Sequence, residues 1–279
     1  MKLVRVGEPG AEVPAIIDLE GNARDISSLV TEIDGKTLAN GSLDRVRETD
    51  LASFPIIEGR LGPPIARPGM VLCIGLNYED HARETGARIP TEPILFQKAT
   101  NTVVGPFDNV EIPKGSVKTD WEVELGVIIG SDAKYLNDEQ AGWDAIAGYS
   151  VSHDVSEREF QIEKGGQWTK GKSCPTFNPL GPWLVTKDEI ADVMSLSMAT
   201  AVNEEVMQNG NTRTMIFNPG YTVWYVSQFM ALEPGDLINT GTPPGVGLGF
   251  DPPRYLKDGD VVELTIAGLG TQRQRFIQA

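Results

Sequence analysis

The sequence predicts a mainly β protein of the α+β class, in which a small N-terminal α/β domain precedes a β-rich roll or barrel-like domain. Three observations predict this class. From residue 70 onward, short apolar runs alternate with Gly and Pro turns. Helical patterns are few and short. A Pro/Gly-rich connector at 59–64 is typical of a domain boundary, so we expect domains at 1–65 and 66–279.

The elements follow in order from periodicity and turn residues. In the N-terminal unit, 3–6 and 15–18 are predicted strands, and 25–51 carries weak helical patterns. The larger unit contains apolar runs that predict strands at 71–75, 94–98, 121–130, 145–152, 180–186, 195–202, 236–240 and 261–267. Short helices are predicted at 80–86, 156–164 and 220–229.

Composition excludes several classes of function. The formal net charge of −15 argues against nucleic acid or an anionic membrane as partner. No apolar run approaches the roughly 20 residues of a membrane helix, and the first ten residues lack a signal-peptide core. Cys73 and Cys174 form no disulfide framework, and Pro175 after Cys174 makes a nucleophilic role for that thiol unfavourable. We expect a cytoplasmic protein.

Glu122 and Glu124 are the most informative residues of the chain. They alternate within a predicted strand, so both carboxylates point to one face. Two like charges beside a core are costly unless a cation neutralises them, although solvated glutamates on an edge strand are the alternative. The only histidines, His81 and His153, lack zinc-site spacing, and a carboxylate site suits Mg²⁺, Mn²⁺ or Ca²⁺.

A second acidic signal is Asp154, which lies where a strand gives way to a predicted helix. It is a candidate third metal ligand, or a residue that stabilises the turn. Ser156 and Glu159 have the spacing of a capping box that begins a helix. On that helix, Arg158 and Gln161 share a face and could present a cation and an amide to a substrate, or form a solvated face.

His81 and Glu84 are neighbours on one helical turn, the arrangement of a general base oriented by a carboxylate, or of an exposed ion pair. Lys98 and Lys172 follow strand-like or aromatic runs and could face an active site, although Lys98 alone is more typical of a charged strand end. His153, next to Asp154, is expected to be structural or to support the candidate metal ligand beside it.

The glycine-rich stretch 239–249 does not predict dinucleotide binding, because prolines occupy the turn and no helix follows. A rigid loop that presents Thr240 or Thr242 and backbone N–H groups to a carboxylate fits better.

Together these motifs resemble the fumarylacetoacetate hydrolase family over about 70–267. The resemblance is greatest to a bacterial branch of acylpyruvate, fumarylpyruvate and 2,4-diketo-3-deoxy sugar-acid hydrolases. It implies a β-roll catalytic domain, usually a homodimer, with one Mg²⁺ or Mn²⁺, for which Ca²⁺ could substitute. By this resemblance the metal ligands are Glu122, Glu124 and Asp154, the catalytic residues are His81, Glu84 and Lys172, and the substrate-binding residues are Arg158, Gln161, Lys98 and Thr242.

The expected reaction is metal-dependent hydrolysis of a carbon–carbon bond in a small anionic 2,4-diketo acid, which releases pyruvate or a related 2-oxo acid and a carboxylic acid. Oxaloacetate decarboxylation at the same site is the first alternative, and ureidoglycolate lyase activity is a weaker one. A non-catalytic Ca²⁺-binding β protein is the alternative from another class, but it leaves His81, Arg158 and Lys172 without a role. Substrate specificity is expected from 83–90 and 246–255.

Overall fold

The computed structural model describes residues 1–84, 86 and 88–279. The strands of this part are β1 Lys2–Val6, β2 Val13–Ile17, β3 Ala23–Asp25, β4 Val71–Gly75, β5 Ile94–Lys98, β6 Val103–Val104, β7 Val110–Ile112, β8 Thr119–Asp120, β9 Val123–Ile129, β10 Ile146–His153, β11 Ser156–Glu157, β12 Asn178–Pro179, β13 Leu184–Thr186, β14 Ser197–Val202, β15 Glu205–Asn211, β16 Leu237–Asn239, β17 Val261–Ile266 and β18 Gly270–Gln278.

Helices are shorter and fewer. The α-helices are α1 Gly35–Ala39, α2 Ser42–Arg47, α3 Glu79–Glu84, α4 Glu139–Asp144, α5 Thr169–Lys172 and α6 Pro219–Ser227, and Glu159–Glu163 forms one π-helical turn. Strands take 32% of the residues and helices 22%, which confirms the predicted mainly β class. No helix among residues 1–84, 86 and 88–279 is long and apolar enough to cross a membrane.

The larger sheet has nine strands in the order β3-β2-β1-β13-β10-β9-β16-β4-β5. The N-terminal strands extend this sheet, since β1 pairs with β13 through Leu3 and Leu184. Leu3 also belongs to a hydrophobic cluster with Val71 and Leu237. Residues 1–65 therefore share a sheet and a core with the rest of the chain, and their division into a separate domain stays a prediction.

The smaller sheet has five strands in the order β15-β14-β17-β18-β7. Val262, Leu264 and Ile266 of β17 are fully buried, as their alternation predicts, and they share the main core cluster with Leu125 and Val127 of β9. The two sheets thus cover one another's apolar faces. Because both of its faces are covered, β9 is buried along its whole length, and the carboxylate of Glu124 on this strand must be compensated inside the protein.

The predicted helix at 156–164 is wrong in its first part. Ser156 and Glu157 pair with β8 as strand β11, and the helical turn begins only at Glu159. The Ser156 hydroxyl donates to the carbonyl of Asp154, so it forms no capping box. Pairing with β8 replaces the first helical turn at these two residues. The local sequence could not predict this, because β8 lies about 36 residues earlier in the chain.

Candidate active site

Strand pairing brings the acidic residues together. In the β9–β10 pair, Glu124 lies opposite Ser152, and Val123 lies opposite His153. Just beyond the pair, the backbone N–H of Asp154 donates to the Glu122 carbonyl at 3.1 Å. Carboxylate oxygens of Glu122, Glu124 and Asp154 consequently lie within 4.8 Å of one another, and all three residues are buried. Their proximity is the one that the sequence predicted for a metal site.

Two lysines lie against these carboxylates. Lys172 Nζ donates to Glu122 Oε2 at 2.9 Å and to Asp154 Oδ2 at 2.7 Å. Lys98 Nζ contacts Asp154 Oδ1 and donates to the carbonyls of Val155 at 3.1 Å and Phe177 at 2.8 Å. These bonds occupy all three N–H groups of Lys98.

The position of Lys98 gives no support to the expectation that it binds substrate, which stays a prediction. Its side chain is fully buried, and it is not among the residues that line the cavity described below. Lys98 ends β5, as the strand-end interpretation has it, and its ion pair with Asp154 makes the burial of this lysine possible.

The charges within the cluster are unevenly balanced. Burial raises the pKa of Glu124 well above its ordinary value, and the charges of Asp154 and Glu122 raise it further. For Glu122, burial opposes ionisation, but Lys172 and Arg158 outweigh it and hold the pKa below its usual range. Within residues 1–84, 86 and 88–279, Glu124 forms no ion pair, although the charge of Lys172 lowers its pKa somewhat. The three buried carboxylates form a hard-oxygen donor set that fits Mg²⁺, Mn²⁺ or Ca²⁺.

His81 and Glu84 lie on α3, and His81 lines the cavity described below. His81 Nδ1 and Glu84 Oε2 are 3.1 Å apart, and Glu84 Oε1 also accepts from the N–H of Gly245 at 3.1 Å. When Nδ1 donates to Glu84, the neutral imidazole carries its basic lone pair on Nε2. The carboxylate can thus set the tautomer of a general base and join α3 to the loop at 245–249.

Arg158 is held by three side chains. Its Nε donates to Asp120 at 2.8 Å, one terminal nitrogen lies 2.7 Å from Glu122 Oε1, and the other donates to Gln161 Oε1 at 3.0 Å. The fully buried Asp120 also accepts from the backbone N–H groups of Gly247 and Leu248. Sequence reasoning missed Asp120, although its position two residues before Glu122 was an available signal.

Two further polar residues have defined places. Thr242 lines the cavity, but its hydroxyl donates to the Val123 carbonyl at 2.9 Å and accepts from Gln208. Any direct bond from this hydroxyl to a substrate must therefore replace or share an existing one. His153 is fully buried beside Gln274, and burial lowers its pKa to about 4, which accords with the expected structural role.

The cavity that these residues enclose measures about 240 Å³. Its wall contains both polar and apolar side chains. The polar and charged residues are His81, Glu122, Glu124, Arg158, Gln161, Lys172 and Thr242. The apolar residues are Ile74, Leu76, Phe96, Ile162, Trp168, Val246 and Leu248. Of the segments expected to set specificity, the loop at 246–255 contributes Val246 and Leu248.

Comparisons with known proteins agree with this geometry. A protein of Burkholderia multivorans, named as a hydrolase without a stated substrate, is 52% identical over 277 residues, covering 98% of each chain. The structure of fumarylacetoacetate hydrolase from Exiguobacterium antarcticum is similar over 100% of both chains, with 34% identity and a TM-score of 0.87.

A third similar structure is maleylpyruvate hydrolase from Sphingobium sp. SYK-6 in complex with manganese(II) and pyruvate. It is 25% identical with a TM-score of 0.83, over 100% of both chains. The family described as fumarylacetoacetate (FAA) hydrolase C-terminal matches residues 70–277. The chain therefore belongs to the fumarylacetoacetate hydrolase family.

Proposed function

We propose that the protein is a divalent-metal-dependent hydrolase that cleaves the C3–C4 bond of an acylpyruvate, a 2,4-diketo acid, into pyruvate and a carboxylic acid. The observation that carries the proposal is that Glu122, Glu124 and His81 line the same cavity. The two glutamates form a buried carboxylate triad with Asp154, and His81 pairs with Glu84. The similar maleylpyruvate hydrolase, with its manganese and pyruvate, supports the same assignment.

Glu122, Glu124 and Asp154 would hold Mg²⁺ or Mn²⁺. When bound, the cation supplies Lewis acidity towards a chelated 2-oxo acid and its enolate. Arg158 would attract the substrate carboxylate, since its guanidinium lines the cavity and is fixed by Asp120. The anionic substrate needs such local cations because the whole protein carries a formal charge of −15.

His81 would remove a proton from water at Nε2, while Glu84 holds the imidazole and stabilises its protonated form. The resulting hydroxide adds to the C4 carbonyl. Two N–H groups of Lys172 bind Glu122 and Asp154, so the third can donate to the C4 oxyanion, as can the amide NH₂ of Gln161. Collapse breaks the C3–C4 bond and leaves its electron pair on C3 as pyruvate enolate. The proton that His81 took from water is returned at C3, which completes pyruvate and regenerates the neutral imidazole.

A substrate panel tests the proposal. Pyruvate release is measured with acetylpyruvate, fumarylpyruvate, a 2,4-diketo-3-deoxy sugar acid and oxaloacetate, using Mn²⁺-loaded and EDTA-treated protein. We expect metal-dependent pyruvate from a diketo acid at a higher rate than from oxaloacetate. Turnover of oxaloacetate alone would identify a decarboxylase, which needs no hydroxide attack, and no turnover would refute both.

The homodimer and the cytoplasmic location stay predictions.

A further inference from the structure

The apolar part of the cavity wall is built as a pocket. Trp168 is half-buried, and its ring meets that of Phe96 edge to face at a centroid distance of 5.2 Å. Gly75, at the end of β4, makes room for the indole, because a Cβ at this position would lie 2.6 Å from Trp168 Cζ3. The glycine therefore allows the indole to lie against the backbone of β4.

The loop at 245–249 contributes Val246 and Leu248 to the wall of the same cavity. Asp120 accepts from the N–H groups of Gly247 and Leu248, and Glu84 accepts from Gly245. These bonds to buried or half-buried carboxylates fix the loop backbone. Val246 and Leu248 are thereby held in the cavity wall as preformed apolar surfaces.

The cationic side chains of the cavity wall are engaged by carboxylates, although Lys172 Nζ also lies 5.2 Å from the centre of the Phe96 ring. Among the described residues that line the cavity, the permanently charged ones are Arg158 and Lys172. Arg158 pairs with Asp120 and Glu122, and Lys172 pairs with Glu122 and Asp154. A carboxylate placed against Trp168 and Leu248 would lose hydration without gaining a cationic partner, which is unfavourable.

We infer that the acyl group of the substrate is uncharged and apolar, an alkyl or aryl chain. Dicarboxylic acylpyruvates and polyhydroxylated sugar acids would then be poor substrates. The inference rests on the proposed function, which defines the pyruvoyl end of the substrate. It adds the chemical class of the acyl group at the other end of the substrate. Trp168, Phe96, Val246 and Leu248 are its specificity residues.

Two measurements on one set of ligands test it. The kcat/KM of Mn²⁺-loaded protein is compared for benzoylpyruvate and fumarylpyruvate, and their Kd values for Mn²⁺-loaded His81→Ala are measured by calorimetry. We expect benzoylpyruvate to be favoured at least about tenfold in both, the size of discrimination that an apolar pocket gives. Equal or tighter binding of fumarylpyruvate would overturn the inference.

The two measurements separate the inference from the proposed function. Tighter binding of benzoylpyruvate without pyruvate release would support the apolar pocket and refute the hydrolase. Turnover that favours fumarylpyruvate would leave the hydrolase standing and refute the apolar pocket. Absence of binding by either ligand would refute both.

Substitution of Ile162 provides a gain-of-function test. Ile162 lines the cavity and is half exposed, so Ile162→Arg would add a cation at the apolar wall with little risk to folding. We expect the preference for benzoylpyruvate over fumarylpyruvate to fall about tenfold or more. Leu19→Arg, in the exposed turn between β2 and β3, makes the same charge change outside the cavity wall and is the matched control. An equal effect of both substitutions would contradict the inference.

Discussion

Asp120 accepts a 2.8 Å hydrogen bond from Arg158 Nε, and both side chains are buried. The same carboxylate accepts the N–H groups of Gly247 and Leu248. One residue thus positions the cation on the polar side of the cavity and the loop on its apolar side. We regard Asp120 as a positioning residue of the proposed site.

Asp120→Asn is expected to raise KM about 10- to 100-fold with a smaller change in kcat, because a misplaced guanidinium weakens substrate binding. Asp108→Asn is the matched control, since Asp108 pairs with Arg60 outside the cavity wall. The control should lower thermal stability without altering KM. Equal KM values for Asp120→Asn and the unmodified protein would contradict the positioning role.

The His81–Glu84 pair is expected to act only in the hydrolytic reaction. His81→Ala should lower kcat for acylpyruvate cleavage about 10²- to 10⁴-fold, the usual contribution of a general base. Glu79→Gln alters a carboxylate on the same helix that pairs with Arg83 at the surface, and it should retain activity. Unchanged hydrolysis by His81→Ala would refute the proposed base.

Metal binding is expected to stabilise the fold. At a concentration of Mn²⁺ 100 times Kd, the free energy of unfolding should rise by about 2.7 kcal/mol, which corresponds to several degrees in Tm. Glu124→Gln keeps the size of the side chain and an oxygen for the Gly241 N–H, but it should remove most of this shift. Glu263→Gln, on the exposed side of β17, is the control. A full Mn²⁺ shift in Glu124→Gln would contradict the metal assignment.

Cys174 is expected to be an unreactive thiol at neutral pH. Burial raises the pKa of Cys174 to about 11, the charge of Glu157 adds to this effect, and Lys98 opposes it. The thiolate is the reactive form, so the rate of alkylation by iodoacetamide should rise about tenfold per pH unit between about pH 7 and 10. Cys174→Ser should retain activity. Rapid alkylation at pH 7 with loss of turnover would contradict this assignment.

The sequence predicted the centre of the fold and of the site because local alternation carries the information. Glu124 on β9 and Glu122 directly before it are two residues apart in extended chain, which places both carboxylates on one side, and the turn residues delimited most of the predicted strands. The position of Asp154 was inferred from order along the chain and agrees with the β9–β10 pairing. These features depend on neighbours a few residues apart.

Other features depend on tertiary partners and could not be predicted. Strands β15 and β18 were missed because their inward side chains include Gln208, Gln272 and Gln274. Burial of these amides is possible only through distant hydrogen bonds, such as that from Gln208 to Thr242 and that between Gln274 and His153. The burial of Lys98 could not be predicted for the same reason, because its partner Asp154 is distant in sequence and meets it only in the folded chain.

The most direct test of the central claim is cleavage of benzoylpyruvate in ¹⁸O-enriched water by Mn²⁺-loaded and EDTA-treated protein, with the products analysed by mass spectrometry. We expect equal amounts of pyruvate and benzoic acid, with one water-derived oxygen in the benzoic acid. EDTA should abolish formation of both products, and restored Mn²⁺ should recover it. Pyruvate formation that EDTA does not affect would contradict metal-dependent hydrolysis. Failure of the Mn²⁺-loaded protein to release pyruvate from either benzoylpyruvate or acetylpyruvate would contradict hydrolysis itself.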